Sequence, residues 1–538
     1  MSAEKTPIIQ AIPLEEGIES EPQTPLTSDR PATSQTMTEK ADGSSSAPPE
    51  SKDVESQASS PPPYHVLSRA GKRRMVYIVS VAALFSPLSS NIYFPALGRI
   101  SRDLDVSMSL ATLTITVYMI VQGIAPSFWG SFSDVIGRRP IFIGTFIVYL
   151  IANICLGVSN NYPMLMVFRA LQAAGSSATI SIGAGVIGDI TTSAERGGLV
   201  GAFGGVRQLG QALGPVFGGI LTQYLGYRSI FWGLTIAGGI SLMIIIFFLP
   251  ETLRSIAGDG TVRLTGIHKP VIYMINGQPG AKDSHPEVQK RSISLSIIFS
   301  PLRFLTEKDV FITLFFGSIV YTVWSMVTSS TTALFQETYG MNDLEVGLTF
   351  ISNGTGCVAG SFLTGRLMDF NHRKTEKEYC LRHGYPLSQR ISSKSHPDFP
   401  IEYARMRNTW WIIALNVAST AAYGFSLRTH MAVPIILQFV TAFTATSVFS
   451  INSALVIDLY PGASASATAV NNLMRCSVGA AGVAVVQPII DSLTAEWTFF
   501  MLAGITAALS PLLLIELKWG VGWRLQRAEK LKMKKLDG

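Results

Sequence analysis

GSFSDVIGRRP, Gly130 to Pro140, stands between two long apolar runs, and 235 positions later GRLMDFNHRK, Gly365 to Lys374, follows another apolar run. Gly130, Asp134, Arg138 and Arg139 fall on Gly365, Asp369, Arg373 and Lys374. A charged hinge that returns once at this distance implies a chain built from two copies of one unit. Outward from the hinges, apolar segments run at about 75–97, 110–130, 140–158, 163–187, 198–225 and 229–249. Six more follow at about 310–335, 344–368, 408–427, 431–457, 464–490 and 494–517. Each is about 20 residues long, enough to cross a ~30 Å hydrocarbon core. The third and ninth begin 268 positions apart, an offset that carries Arg207 onto Arg475 and Asp189 to the neighbour of Asp458. The pattern predicts an all-α membrane protein with 12 transmembrane helices in two six-helix bundles, at 75–250 and 310–517. This is the layout of transporters in which two bundles rock about a central site.

Composition agrees with this reading. Of 538 residues, 47% are hydrophobic and only 14% charged, against roughly 25% charged in soluble domains, and mean hydropathy is +0.32. Residues 1–74 are rich in Ser, Thr, Pro and Glu and read as a disordered tail, with no secretory signal before Met75, so that the first span serves as its own insertion signal. Residues 251–309 read as a central loop, 369–407 as a second long loop and 518–538 as a basic tail. Of the 42 Lys and Arg, 35 fall on the side that holds both termini, which the positive-inside rule places in the cytoplasm. The formal charge of +6 therefore sets topology and gives no reason to expect a nucleic acid partner. Cys155, Cys357 and Cys476 lie in spans and Cys380 in a loop, which suits packing and not a disulfide framework. GAGVIGD, Gly183 to Asp189, matches a dinucleotide fingerprint but follows an apolar helix where the fingerprint needs a strand. No phosphate-binding loop, metal motif or other cofactor signature is present, and nothing suggests an enzyme.

Of the other basic residues, Arg99, Arg102, Arg228 and Arg428 fall on the opposite side, and Arg169, Arg207 and Arg475 lie within spans. A guanidinium at mid-membrane costs roughly 2.5 to 3.5 kcal/mol to insert, so it should face a cavity or a partner. Arg207 and Arg475 sit near the midplane, and Arg169 nearer the outer end. Arg169 shares a helical face with Gln172, Ser176 and Gly183; Arg207 shares one with Gln211 and Pro215; Asn471 shares one with Arg475. No Asp or Glu lies well inside any span. A cavity with these guanidiniums and with Asn91, Gln122, Gln208, Asn472 and Tyr321 as neutral neighbours would suit carboxylates, which arginine holds by paired hydrogen bonds. At the hinge, Asp134, Arg138 and Arg139 can pair with Asp189 or Arg196, with Asp369 as counterpart in the second half. Such pairs would bias alternating access. Pro215, among Gly214, Gly218 and Gly219, removes one helical hydrogen bond and permits close approach of a neighbouring helix.

Several of these motifs carry a family resemblance. GSFSDVIGRRP resembles the loop signature after the second span of the major facilitator superfamily. FRALQAAGSSA, Phe168 to Ala178, resembles the signature of its fourth span; GQALGPVFGG, Gly210 to Gly219, resembles the antiporter signature of its fifth; PETL, Pro250 to Leu253, resembles the end of its sixth. SNIYFPAL (Ser90 to Leu97) and DLYPGASASATAVNNLMRC (Asp458 to Cys476) are similar to the fungal drug:proton antiporter-1 family, particularly its quinidine-resistance and organic-acid-exporter branch. The resemblance implies a monomeric secondary transporter of the plasma membrane that exports a di- or tricarboxylate, such as itaconate or citrate. Arg207 and Arg475 would clamp the anion, with Arg169 and Gln172 as a coupling or binding pair. It also implies coupling to protons, for which this chain offers peripheral Asp134 and Asp189 or the substrate's own carboxylate. The alternative is efflux of drugs or secondary metabolites by the same fold, with Tyr93, Phe94, Tyr321 and Trp324 carrying binding.

Overall fold

The computed structural model describes residues 65–191, 193–278, 300–386, 396, 398–407, 409–460 and 464–536. Most of the sequence-predicted N-terminal tail therefore lies outside the described residues. The first half is built from α1 (Arg69–Asn91), α2 (Met108–Ile136), α3 (Arg138–Gly157), α4 (Tyr162–Ile190), α5 (Ser193–Leu225) and α6 (Arg228–Phe248). The second half has α7 (Lys308–Tyr339), α8 (Asp343–His383), α9 (Trp410–Ser426) and α10 (Ala432–Leu459). A continuous stretch Ser464–Leu509 then breaks at Thr494, whose φ of 68° and ψ of 161° are not helical. It is two spans, α11 at 464–493 and α12 at 495–509, and α13 (Leu512–Leu536) carries the chain onward.

Nine helical stretches among the described residues are long and apolar enough to cross a bilayer. Glycine-rich α5 and 17-residue α9 fall outside that count, and α11 and α12 share one stretch, which reconciles it with twelve spans. Side-chain caps start several helices: Ser107 on α2, Asn161 on α4 and a reciprocal Asn342–Glu345 pair on α8, each satisfying amide N–H groups that lack a helical partner.

The halves repeat each other's packing. In the first, α1 lies on α5 and α2 on α4; in the second, α7 lies on α11 and α8 on α10. The halves join through two equivalent seams, α5 against α8 and α2 against α11. Contact along the first seam is graded by depth. Away from the face that bears the described chain ends, here the terminal face, the helices touch backbone to backbone. A Cβ on Gly219 would lie 2.7 Å from the Asp343 carbonyl, one on Gly347 2.7 Å from that of Pro215, and one on Gly354 would fall on Ala212. The same end is closed by Thr332, which donates to the Phe94 carbonyl at 2.8 Å, and by Phe94 stacked on Phe350 at 5.8 Å. Toward the terminal face, Gly198, Gly201, Gly204 and Gly205 of α5 and Gly365 of α8 have nothing within 4 Å of a Cβ position. The halves are thus closed at one end and parted at the terminal end, an open-to-the-termini state.

The two hinge copies differ. Between α2 and α3 the chain turns at Gly137, with φ 119°, a conformation that glycine adopts without steric cost. The equivalent position in the second half is His372. No turn forms there, and α8 continues through the segment read as a long loop as far as His383. The sequence-predicted basic tail is also helical. In α13, Arg524 pairs with buried Glu402 at 2.9 Å, and Arg527 donates to Asp309 at 2.9 Å and to the Tyr460 hydroxyl at 2.8 Å.

Candidate substrate site and gates

Arg207 on α5 and Arg475 on α11 come from opposite halves. Arg207 is partly exposed and makes no hydrogen bond or ion pair among the described residues. Arg475 donates to the Asn472 Oδ1 at 2.6 Å, and its guanidinium lies over Tyr321 at 4.5 Å and Phe449 at 5.1 Å. Its Nε is buried without a partner. The amide that orients Arg475 is thus Asn472, one turn back at i−3. Asn471, expected beside it at i−4, is buried and donates to Ser453 at 2.7 Å. Both spacings place a residue on the same helical face, and Asn472 also donates to the Gln122 carbonyl at 3.0 Å, across the α2–α11 seam.

The other expected contributors are spread around this pair. Gln211 donates to Cys357 Sγ at 3.2 Å and Gln208 to Ser361 at 3.4 Å, so both tie α5 to α8. The Gln122 amide donates to Ser86 at 3.2 Å, and Asn91 bonds back to the Pro87 carbonyl at 2.7 Å. Trp324, beside Tyr321 at 5.3 Å, donates to Asn353 at 3.2 Å. The wall near the guanidiniums is therefore aromatic, amide and thiol in character.

Arg169 is in a different place. It is 0% exposed and sits between the rings of Tyr93, at 4.0 Å, and Tyr118, at 4.4 Å. It donates to Gln172 Oε1 at 2.6 Å and to the Ser89 carbonyl at 3.3 Å. Gln172 passes the chain on to Asn153 at 2.7 Å. The expected Arg169–Gln172 pair forms as a fully buried core network, in which Arg169 Nε and Nη2 have no hydrogen-bond partner among the described residues. Tyr118 and Asn153, which sequence reading did not single out, complete it; Tyr118 stands four residues before Gln122 on the same face of α2.

At the terminal face Arg138 bonds Asp134 at 2.6 Å, Asp189 at 3.0 Å and Ser133 at 2.7 Å. Arg138 also explains the false dinucleotide fingerprint: a Cβ on Gly185 would come within 2.7 Å of its Cζ. Arg196 has no described side chain. Arg139 departs from the expected pairing with Asp189. It donates to the carbonyls of Ile246 and Leu249 at 2.6 Å each, and to that of Ile267, because the end of α6 leaves carbonyls without helical partners beside it. Asp369 is exposed and has no ion-pair partner among the described residues. In that half Asp458 pairs instead with Arg405 at 2.8 Å, from the short helix Ile401–Met406, since the uninterrupted α8 forms no hinge at Asp369.

The acid of PETL has a role that its motif does not disclose. Glu251 is buried and accepts backbone N–H bonds from Arg138, Arg139, Thr252 and Leu253 at 2.8 to 3.2 Å, with His268 Nδ1 at 3.1 Å. Burial opposes its charge, but the His268 and backbone hydrogen bonds outweigh it and hold the carboxyl below its ordinary value. Its stabilising contribution is therefore full above the ordinary carboxyl range and is lost as pH falls through the lowered folded value. Glu251→Gln should cost about 2 kcal/mol at neutral pH, the scale of hydrogen bonds to a charged group. Melting in detergent checks this: the gap from wild type should narrow on acidification, and a gap independent of pH would contradict the assigned role.

Two pseudo-equivalent six-helix halves, each bearing a mid-span arginine and joined tightly at one end, define a secondary transporter. The Major Facilitator Superfamily model matches residues 79–376, and the chain belongs to that family, within its fungal drug:proton antiporter branch. It is a transporter and not an enzyme. Citrate exporter 1 of Aspergillus niger is 68% identical over 90% of this chain and 93% of its own length. The MFS antiporter QDR2 of Candida albicans is 31% identical over 84% of this chain and 89% of its own. Among solved structures, the human organic anion transporter MFSD10 has the same fold, with a TM-score of 0.54 at 15% identity, covering 82% of this chain and 99% of that one.

Proposed function

We propose that the chain exports an organic anion, a di- or tricarboxylate such as citrate, across the plasma membrane by alternating access, as a monomer with both termini in the cytoplasm. One observation carries this reading: Arg207 and Arg475, one from each half, lie within the spans with no acidic partner among the described residues. A bound carboxylate gives each guanidinium the partner it lacks, and because the two sit on opposite halves, it bridges the parts that must move together. The 68% identical relative named as a citrate exporter supports the substrate class. In this reading the terminal face is cytoplasmic and the described state is open to the cytoplasm. Asp134, Arg138 and Asp189 then form a network within the first half, available as part of the inner gate when the halves meet there.

Purified protein in vesicles loaded with labelled citrate tests the proposal. Efflux should exceed that from equally loaded protein-free vesicles and should be inhibited by other di- and tricarboxylates. Efflux of neutral or cationic drugs, with no movement of any carboxylate, would instead favour the second reading, for which the aromatic pair Tyr321 and Trp324 is the supporting feature.

A further inference from the structure

The end away from the terminal face is held by a chain of contacts that crosses twice between the halves, and a carboxyl lies inside it. Asp343 is the first residue of α8, one position before the apolar segment 344–368, and is 4% exposed. Gly219 of α5 packs on its backbone carbonyl, and its amide donates to Gln223 Oε1 of α5 at 3.2 Å. Gln336 of α7 donates to the Asp343 Oδ1 at 2.8 Å. Gln336 in turn covers Gly98 in the short helix Leu97–Asp103 of the first half, where a Cβ would fall on its amide. One acid thus links first half, second half and first half again, in the same seal as the Thr332–Phe94 bond.

Among the described residues no cation comes within ion-pair distance of Asp343. Arg102 and Arg99 of the short helix act on it from further away, and both are engaged elsewhere: Arg102 donates to the Gly98 carbonyl at 3.2 Å, and Arg99 pairs with Asp103 at 3.2 Å. Asp103 adds a like charge. From α5 and α7 it meets neutral amides, Gln223 and Gln336; Glu337 of α7 is exposed, and Glu345 of α8 is turned to the Asn342 amide at 2.9 Å. Burial, the largest influence, favours the neutral carboxyl and outweighs both arginines, which holds the group above its ordinary value. The enclosure exists only while α5 and the short helix lie against α7 and α8. Once that end opens, water reaches the carboxyl and its charge is no longer penalised.

We infer that Asp343 is a proton-binding site that locks the seal, taking its proton from the medium on the sealed side when that end opens and holding it while the halves are joined there. The sign follows from linkage: protons bind the sealed state better than the open one, so acid favours sealing. The bias sets in as pH falls through the raised value of the sealed state and is complete below the ordinary value of the open one. In the topology proposed above the sealed side is the outside, and an acid medium then keeps the carrier shut to the outside and open to the cytoplasm. Return of a released solute is resisted under that condition, whatever the solute is.

The test attaches spin labels through Tyr224→Cys and Met431→Cys, exposed sites on opposite halves at the sealed end, in the full chain in lipid nanodiscs without solute. The chain lacking these two substitutions is the labelling control. As pH is lowered, the short-distance population should grow at the expense of the long one, their ratio rising by about threefold or more, with a midpoint above the ordinary carboxyl range. Asp343→Asn keeps the shape without the charge, and it should hold the short distance at every pH. Gln336→Met removes the amide that favours the ionised form and should move the midpoint to higher pH, an effect that a purely structural contact would not produce. The wild-type titration stands even if a variant does not fold. A wild-type distance that ignores pH, opening of this end by acid, or a full pH response in Asp343→Asn would each overturn the inference. Both faces meet the buffer in nanodiscs, so a reversed topology would leave these results unchanged and would only exchange the medium for the cytoplasm as the source of the proton.

Discussion

Arg207→Gln and Arg475→Gln are each expected to lower carboxylate transport at sub-saturating substrate by about 10- to 100-fold, since a hydrogen bond to a charged partner contributes about 1.5 to 3 kcal/mol. The two losses should differ in character. Arg207 makes no hydrogen bond among the described residues, so its removal disturbs little but the substrate contact and should appear mainly as a raised KM. Arg475 is stacked on Tyr321 and Phe449 and held by Asn472; glutamine there frees all three, and maximal rate should fall as well. Lysine at either position keeps the charge and loses the planar fork, so partial activity is expected. Initial-rate citrate transport in vesicles, normalised to folded protein, is the measurement. Both glutamine variants transporting every tested carboxylate at the wild-type rate would remove the basis of the anion clamp.

Gly354→Leu is expected to abolish transport by a different route. At Gly354 even a Cβ would fall on Ala212, so a leucine cannot fit while α5 and α8 are in contact. Overpacking of this kind costs typically 1 to 3 kcal/mol, and here it falls on the end that must be sealed in the state open to the termini. The conformational equilibrium should shift by about 10- to 100-fold toward the opposite opening. Thr332, buried and bonded to the Phe94 carbonyl at that seal, provides the readout. A cysteine placed there should be protected from a membrane-impermeant maleimide in the parent and labelled in the Gly354→Leu variant. Protection in both would show that the seam is not the seal.

The architecture was legible because a bilayer demands runs of about 20 apolar residues, and because a duplicated unit repeats its charged hinge. The proposed pairing of Arg207 with Arg475 rests on that repeat, as the offset of 268 puts them at equivalent positions of the two halves. The repeat misled where one residue broke it. Asp369 copies Asp134, but His372 stands where Gly137 turns, and without that turn the helix continues and the acid stays at the surface. Other features depend on partners distant in sequence, which helical periodicity does not reveal. Arg169 is enclosed by the Tyr93 ring from the turn after α1 and the Tyr118 ring from α2, and Glu251 reaches amides 112 and 113 positions earlier in the chain. Asn471 and Asn472 differ by one position, and helical spacing favours neither.

The ties at the terminal face have a practical consequence. Glu251 and Arg139 fasten the segment around His268 to the first half, while Arg524 and Arg527 fasten α13 to the second. Each half thus carries its own rigid handle on the same side. Ile267 and Leu525 project from the two handles and are exposed, so a pair of spin labels at these sites would act as a caliper across the moving parts. The distance between them should shorten when the terminal side closes, giving a record of each stroke without a probe in the transport path.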